Sequence, residues 1–211
     1  SLGGTATNIH SASYTAATHK FFKIRESGGT IYFDTSADGQ AWTNFASLAN
    51  PFAITNIAVG VMVGTWQTES STTHALFDNF NTATVTAASI NDNFNDNAID
   101  GNKWNLYNAS QVLEQNQQLE ISTVTSSSYF TLWSKESYNL YNAAFSAKLV
   151  DAGNQSLDSF DIVLFVRAAN DDNNKVYISI NDNTIRARKI VGGVGSHIGD
   201  GVAYNSVVHK Y

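Results

Sequence analysis

Four oxygen-bearing side chains, Asp78, Asp92, Asn95 and Asp96, fall where one short phrase occurs twice, as Asp78-Asn79-Phe80-Asn81 and Asp92-Asn93-Phe94-Asn95. Carboxylate and amide oxygens gathered on turn-rich backbone are the hard donors that calcium takes. These four are the candidate metal ligands, with calcium as the structural ion. Asp and Asn also close turns on their own backbone, and no loop has the full EF-hand spacing. A second polar run, Asp171 to Asn174, reads as a solvated hairpin tip.

Sugar binding uses aromatic platforms beside amides and hydroxyls. The chain has 4 Trp and 9 Tyr and is rich in Asn. Trp66 and Trp133 are the platform candidates, because each ends or interrupts a strand among polar residues. Trp42 and Trp104 read as core or corner residues. Glycoside hydrolysis needs two carboxylates roughly 5 to 9.5 Å apart. Glu114 and Glu120 are the nearest pair in sequence, yet six residues of extended strand span roughly 20 Å. A hairpin about Asn116-Gln117 pairs Glu114 with Leu119 and Leu113 with Glu120, which puts the acids on opposite faces. His10, His19, His74, His197 and His209 sit in no nucleophile motif. No catalytic residue is assigned, and the pattern points away from an enzyme.

The elements that would position these residues are short strands. Phe22 and Ile24 alternate with Lys23 and Arg25, Gly28-Gly29 turns the chain, and Ile31 and Phe33 return on the inner face with Tyr32 outward. Val59, Val61 and Val63 share a face in Ile57 to Val63. Further strands are expected at 73–81, 112–114, 118–123, 129–134, 143–150, 160–168, 176–181 and 184–191. Residues 1–13 are weakly patterned. No 3.6-residue apolar period persists for three turns, so the fold class is all-β, an antiparallel sandwich.

The 211 residues, 43% hydrophobic, are enough to bury a real core. A net charge of -6, with Arg186, Arg188 and Lys189 as the one tight basic cluster, excludes nucleic acid as a partner. The absence of cysteine removes thiol chemistry and a disulfide framework. No apolar run reaches the ~20 residues of a membrane-spanning helix, so membrane insertion is not expected.

The phrase FKIRESGGTIYFDTSADGQAWTNF, followed by IAVGVMVGT and ALFDNF, resembles the second half of concanavalin A-like lectin/glucanase domains, the laminin G-like jelly rolls of bacterial surface proteins. DNFNDNAIDGNKW followed by VLEQNQQLEIS resembles their opening. The resemblance implies a jelly roll, a structural calcium between its first and last strands, and an extracellular setting. It specifies fold more sharply than function. Of the tight acidic motif of laminarinase-type glucanases, only Glu114 and Glu120 have counterparts, with Asn116 where an Asp is needed. SADGQAW at 36–42 resembles the Asp-box turn of sialidases, one residue short.

The two ends are copies. YTAATHKF at 14–21 matches YNSVVHKY at 204–211, and Gly3-Gly4 matches Gly192-Gly193 after one insertion, a period on the order of 190 residues. Residues 1–86 therefore read as the C-terminal half of one repeat, and 87–211 as a linker and the N-terminal part of the next. The expected role is a structural or adhesive repeat of a bacterial extracellular filament or giant surface protein, with other copies of itself as head-to-tail partners. The alternative is a carbohydrate-binding, lectin-like module, with a glycoside hydrolase behind it.

Overall fold

The computed structural model describes residues 7–81, 90–157 and 159–193. In chain order the strands are β1 (Thr7–Ser13), β2 (Phe21–Ser27), β3 (Thr30–Ser36), β4 (Thr43–Ala49), β5 (Ile57–Thr65), β6 (His74–Asp78), β7 (Trp104–Tyr107), β8 (Val112–Gln115), β9 (Gln118–Ser122), β10 (Ser128–Ser134), β11 (Ala144–Asp151), β12 (Phe160–Ala168), β13 (Asp171–Asn181) and β14 (Thr184–Ile190). Helix among the described residues is limited to one 3-10 turn at Ala109–Gln111, and no helix among them is long and apolar enough to cross a membrane.

Two antiparallel seven-stranded sheets face each other, one ordered β1-β14-β13-β12-β5-β10-β7 and the other β4-β3-β2-β11-β6-β9-β8. The all-β antiparallel sandwich expected from the sequence is the observed fold, and it is compatible with a jelly roll. Alternation sets the inner faces. Phe22, Ile24, Ile31 and Phe33 are buried from one sheet and Val59, Val61 and Val63 from the other, as their spacing predicts. Three hairpins turn on pairs of residues with positive φ, Gly28-Gly29, Asn116-Gln117 and Asp182-Asn183. This is the geometry whose twist matches that of the flanking strands.

The segments on either side of the seam share one core. β5 lies between β10 and β12, and β6 lies between β11 and β9, so each sheet inserts a strand from before the seam between strands from after it. The repeated phrase supplies the stitching. Phe80 and Phe94 are fully buried. Phe80 meets Trp104 edge-on at 5.1 Å and stacks on Phe145 at 5.9 Å. The Asp92 amide donates to the Phe80 carbonyl (3.0 Å), and the Asn81 side-chain amide donates to the Ile90 carbonyl (3.0 Å).

Three strands escaped the sequence pattern. β1 and β4 are the outer strands at one side of their sheets and bury few side chains, and β7 is only four residues long. Asp171 to Asn174 opens β13, because Ala168 already pairs with Asp171 and the tip is Ala169-Asn170. The C-terminal copy at 204–211, His197, His209 and most of the linker lie outside the described residues.

Candidate functional site: an aromatic hollow on one sheet

The outer face of the β1-containing sheet carries a hollow of about 200 Å³ across β7, β10, β5, β12 and β13. Its shape begins with glycine. A Cβ on Gly60 would sit 2.2 Å from the Leu132 carbonyl oxygen and 2.9 Å from Phe165 Cζ, and one on Gly64 would sit 2.3 Å from Tyr129 Cδ1. The bare backbone of β5 thus lets rings from the neighbouring strands lie across it. Met62, Val163, Phe165 and Tyr177 form a buried apolar patch there, with Tyr129 and Trp133 packed against it. Tyr107, half exposed, forms the rim.

Polar groups converge on the same hollow. The Arg167 guanidinium lies 5.3 Å from the Trp133 ring centroid, and its Nη1 donates to Asp172 Oδ1 at 2.6 Å. Lys175, 4% exposed, completes the wall. Burial is the main influence on its ammonium and holds its pKa down at about 8, against partial support from Asp172. The result is an aromatic floor with one carboxylate and two cations at its margin. Such a surface stacks on the apolar face of a ring and hydrogen-bonds its hydroxyls.

Trp133 lines this hollow, whereas Trp66 does not. Trp133 pairs with Gly60, whereas Trp66 follows the end of β5, just past the Gly64–Tyr129 end of the hollow. Tyr107, Tyr129, Arg167, Asp172, Lys175 and Tyr177 had no signature in sequence, since four separate strands deliver them. The one usable signal was alternation: the odd-numbered residues of β10 and β12 point opposite to Phe130, Leu132, Ile162 and Leu164 of the core.

Three of the four expected calcium ligands are engaged by nearby groups of the chain. Asp78 pairs with Lys148 at 2.9 Å. Asp92 accepts from the Phe94 amide (3.0 Å) and Trp104 Nε1 (2.8 Å), with Lys103 Nζ 3.7 Å away. Asp96 caps the Ala98 amide at 3.1 Å, and Asn95 is exposed. Among the described residues no three His, Cys, Asp or Glu side chains are grouped to hold a metal. Glu114 instead turns inward beside Asp96, whose amide donates to its Oε1 at 3.1 Å. Burial, then the Asp96 side chain and the negative charges of Asp92 and Asp96, push its carboxyl up. The β8–β9 hairpin has the register Leu113 to Glu120 and Glu114 to Leu119, which keeps the two glutamates on opposite faces.

Ser36-to-Trp42 is a side-chain-braced turn. Asp38 Oδ1 accepts from the amides of Gln40 (2.8 Å) and Ala41 (2.9 Å), and Trp42 lies under the Lys23 ammonium at 3.8 Å. Trp104 is a core residue, 3% exposed. The fold is a β-sandwich with a hollow on the outer face of one sheet. No protein-family model matches the chain, and no curated protein matches it significantly.

Proposed function

We propose that this chain is a non-catalytic adhesive module of a repetitive bacterial extracellular protein, of the concanavalin A-like jelly-roll type, and that its aromatic hollow holds a carbohydrate. The observation that carries the reading is the hollow itself, in which Trp133 and its tyrosine neighbours form an aromatic floor across the bare backbone of Gly60 and Gly64, with Arg167, Asp172 and Lys175 at the margin. An Arg–Asp pair beside a ring offers donors and an acceptor to adjacent hydroxyls. Asp172 is the one carboxylate of the lining and is engaged by Arg167, so the pair of acids required for hydrolysis is not drawn from it. Weak single sites repeated along a polypeptide gain strength through multivalency. The end-to-end duplication favours such an array, and with it head-to-tail self-association as the module's structural role.

Polysaccharide pull-down and a glycan array with the whole chain test this. Trp133→Ala is expected to weaken retention at least about tenfold, which is ~1.4 kcal/mol. Trp66→Ala, outside the lining, is expected to weaken it far less. Lack of retention of any glycan by the unaltered chain, or full retention by a folded Trp133→Ala variant, would refute the assignment.

A further inference from the structure

We infer that the outer edge of β14 is a strand-exchange site, and that a second copy of this chain supplies the strand. The inference rests on the head-to-tail reading and concerns a place separate from the hollow.

β1 occupies the end of its sheet and pairs with β14 alone, from Thr7 opposite Lys189 to Ser13 opposite Thr184, across some 180 residues of chain. Its hold is mostly backbone. His10 through Ser13 are exposed, and the register slips at a bulge between Asn8 and His10. Few side chains anchor it. Asn8 Oδ1 accepts from Arg188 Nε at 2.7 Å, His10 meets Phe45 edge-on at 4.7 Å, and Ile9 and Tyr14 rest against the core. The loop after it is a small braced unit in which Tyr14 stacks on His19 at 5.9 Å and the Thr15 amide donates to His19 Nδ1 at 3.0 Å.

Three of the apolar or ring anchors of that segment recur in the C-terminal copy, His10 being the exception. Ile198 stands for Ile9, Tyr204 for Tyr14 and His209 for His19, and the single-residue insertion falls near the bulge, where a strand absorbs an extra residue. One edge therefore has two donor sequences of the same pattern. Main-chain pairing along a sheet edge supplies affinity without regard to which molecule brings the strand. An uncovered edge is unfavourable enough to recruit one. The exposed connection from Thr15 to Thr18 is the hinge at which β1 leaves its own sandwich, the low-cost route to exchanged assemblies.

The lack of cysteine makes the test clean. A chain carrying Ser13→Cys, or one carrying Ala203→Cys at the matching position of the copy, is mixed with a chain carrying Thr184→Cys under mild oxidation. At least one mixture is expected to give a disulfide-linked heterodimer several-fold above a control that pairs Ser13→Cys with exposed Ser47→Cys on β4. The Ser13→Cys/Thr184→Cys double variant, diluted, is expected to close within one chain. Heterodimer at control level in both mixtures, with the double variant closing, would overturn the exchange. Failure of the double variant to close would overturn the pairing on which it stands. Sedimentation of the unaltered chain separates the two readings: oligomers without cross-linking refute exchange alone, and a monomer at every concentration refutes head-to-tail association as well.

Discussion

Asp161 offers the sharpest test of the physical account. It lies on β12, pairs across the ladder with Gly64, and is 3% exposed. Burial pushes its carboxyl up from 3.8 to about 6, against the opposing pull of Arg188 and Arg186. Between those two values the unfolded chain has released the proton while the folded chain still holds it. Stability therefore falls as pH rises from about 4 to about 6, by about 3 kcal/mol at 1.36 kcal/mol per pH unit. Asp161→Asn keeps the shape and removes the titration. In urea unfolding followed by tryptophan fluorescence, variant and parent should nearly coincide at pH 4. At pH 8 the variant should be the more stable, with a midpoint about 1 to 2 M higher in urea. Comparing the two proteins at each pH cancels the contribution of Glu114, whose carboxyl is also raised. An unchanged gap between pH 4 and pH 8, or a variant less stable than the parent at pH 8, would refute the reasoning.

Two further outcomes follow from local geometry. Gly60→Ala forces a Cβ into the Leu132 carbonyl and the Phe165 ring, and should cost about 1 to 3 kcal/mol in chemical denaturation while spoiling the hollow. Glu26, 2% exposed, accepts from the amides of Asn142 (2.6 Å) and Gly29 (2.7 Å) and from the Asn50 side chain. Burial alone would raise its carboxyl, but these hydrogen bonds prevail and hold it below the usual range. Its stabilisation is thus present above the ordinary glutamate pKa and lost on acidification. Glu26→Ala should cost about 2 to 4 kcal/mol at neutral pH, with a penalty that shrinks in acid, as measured by urea midpoints across pH.

Much of the sandwich was legible because its central strands bury one face and expose or specialise the other. Phe22, Ile24, Ile31 and Phe33 announce β2 and β3, and Val59, Val61 and Val63 announce β5. The outer strands were silent for the opposite reason: in β4 only Ala46 is buried, so pairing rests on backbone groups that every sequence possesses. Trp133 could be suspected as a binding residue because its neighbours Leu132 and Ser134 face the other way, into the sandwich. Its companions could not, since Tyr107 and Lys175 approach it only through a strand order that local spacing does not encode. The seam acids admit two readings for a chemical reason. Hard oxygen donors look alike in sequence, whether a cation or a lysine such as Lys148 finally answers them.

The interleaving of β5 and β6 among later strands has a price in time. Neither part can close a sheet alone, so the earlier strands, once synthesised, wait roughly ten seconds of translation for β10 to β13 to emerge. Pairing over such sequence distances belongs to the slow, millisecond-to-second regime of folding. During that interval Val59, Val61 and Val63 lack their neighbours on β10 and β12. Nascent chains stalled after Asn81 should be the species most avidly captured by ribosome-associated chaperones.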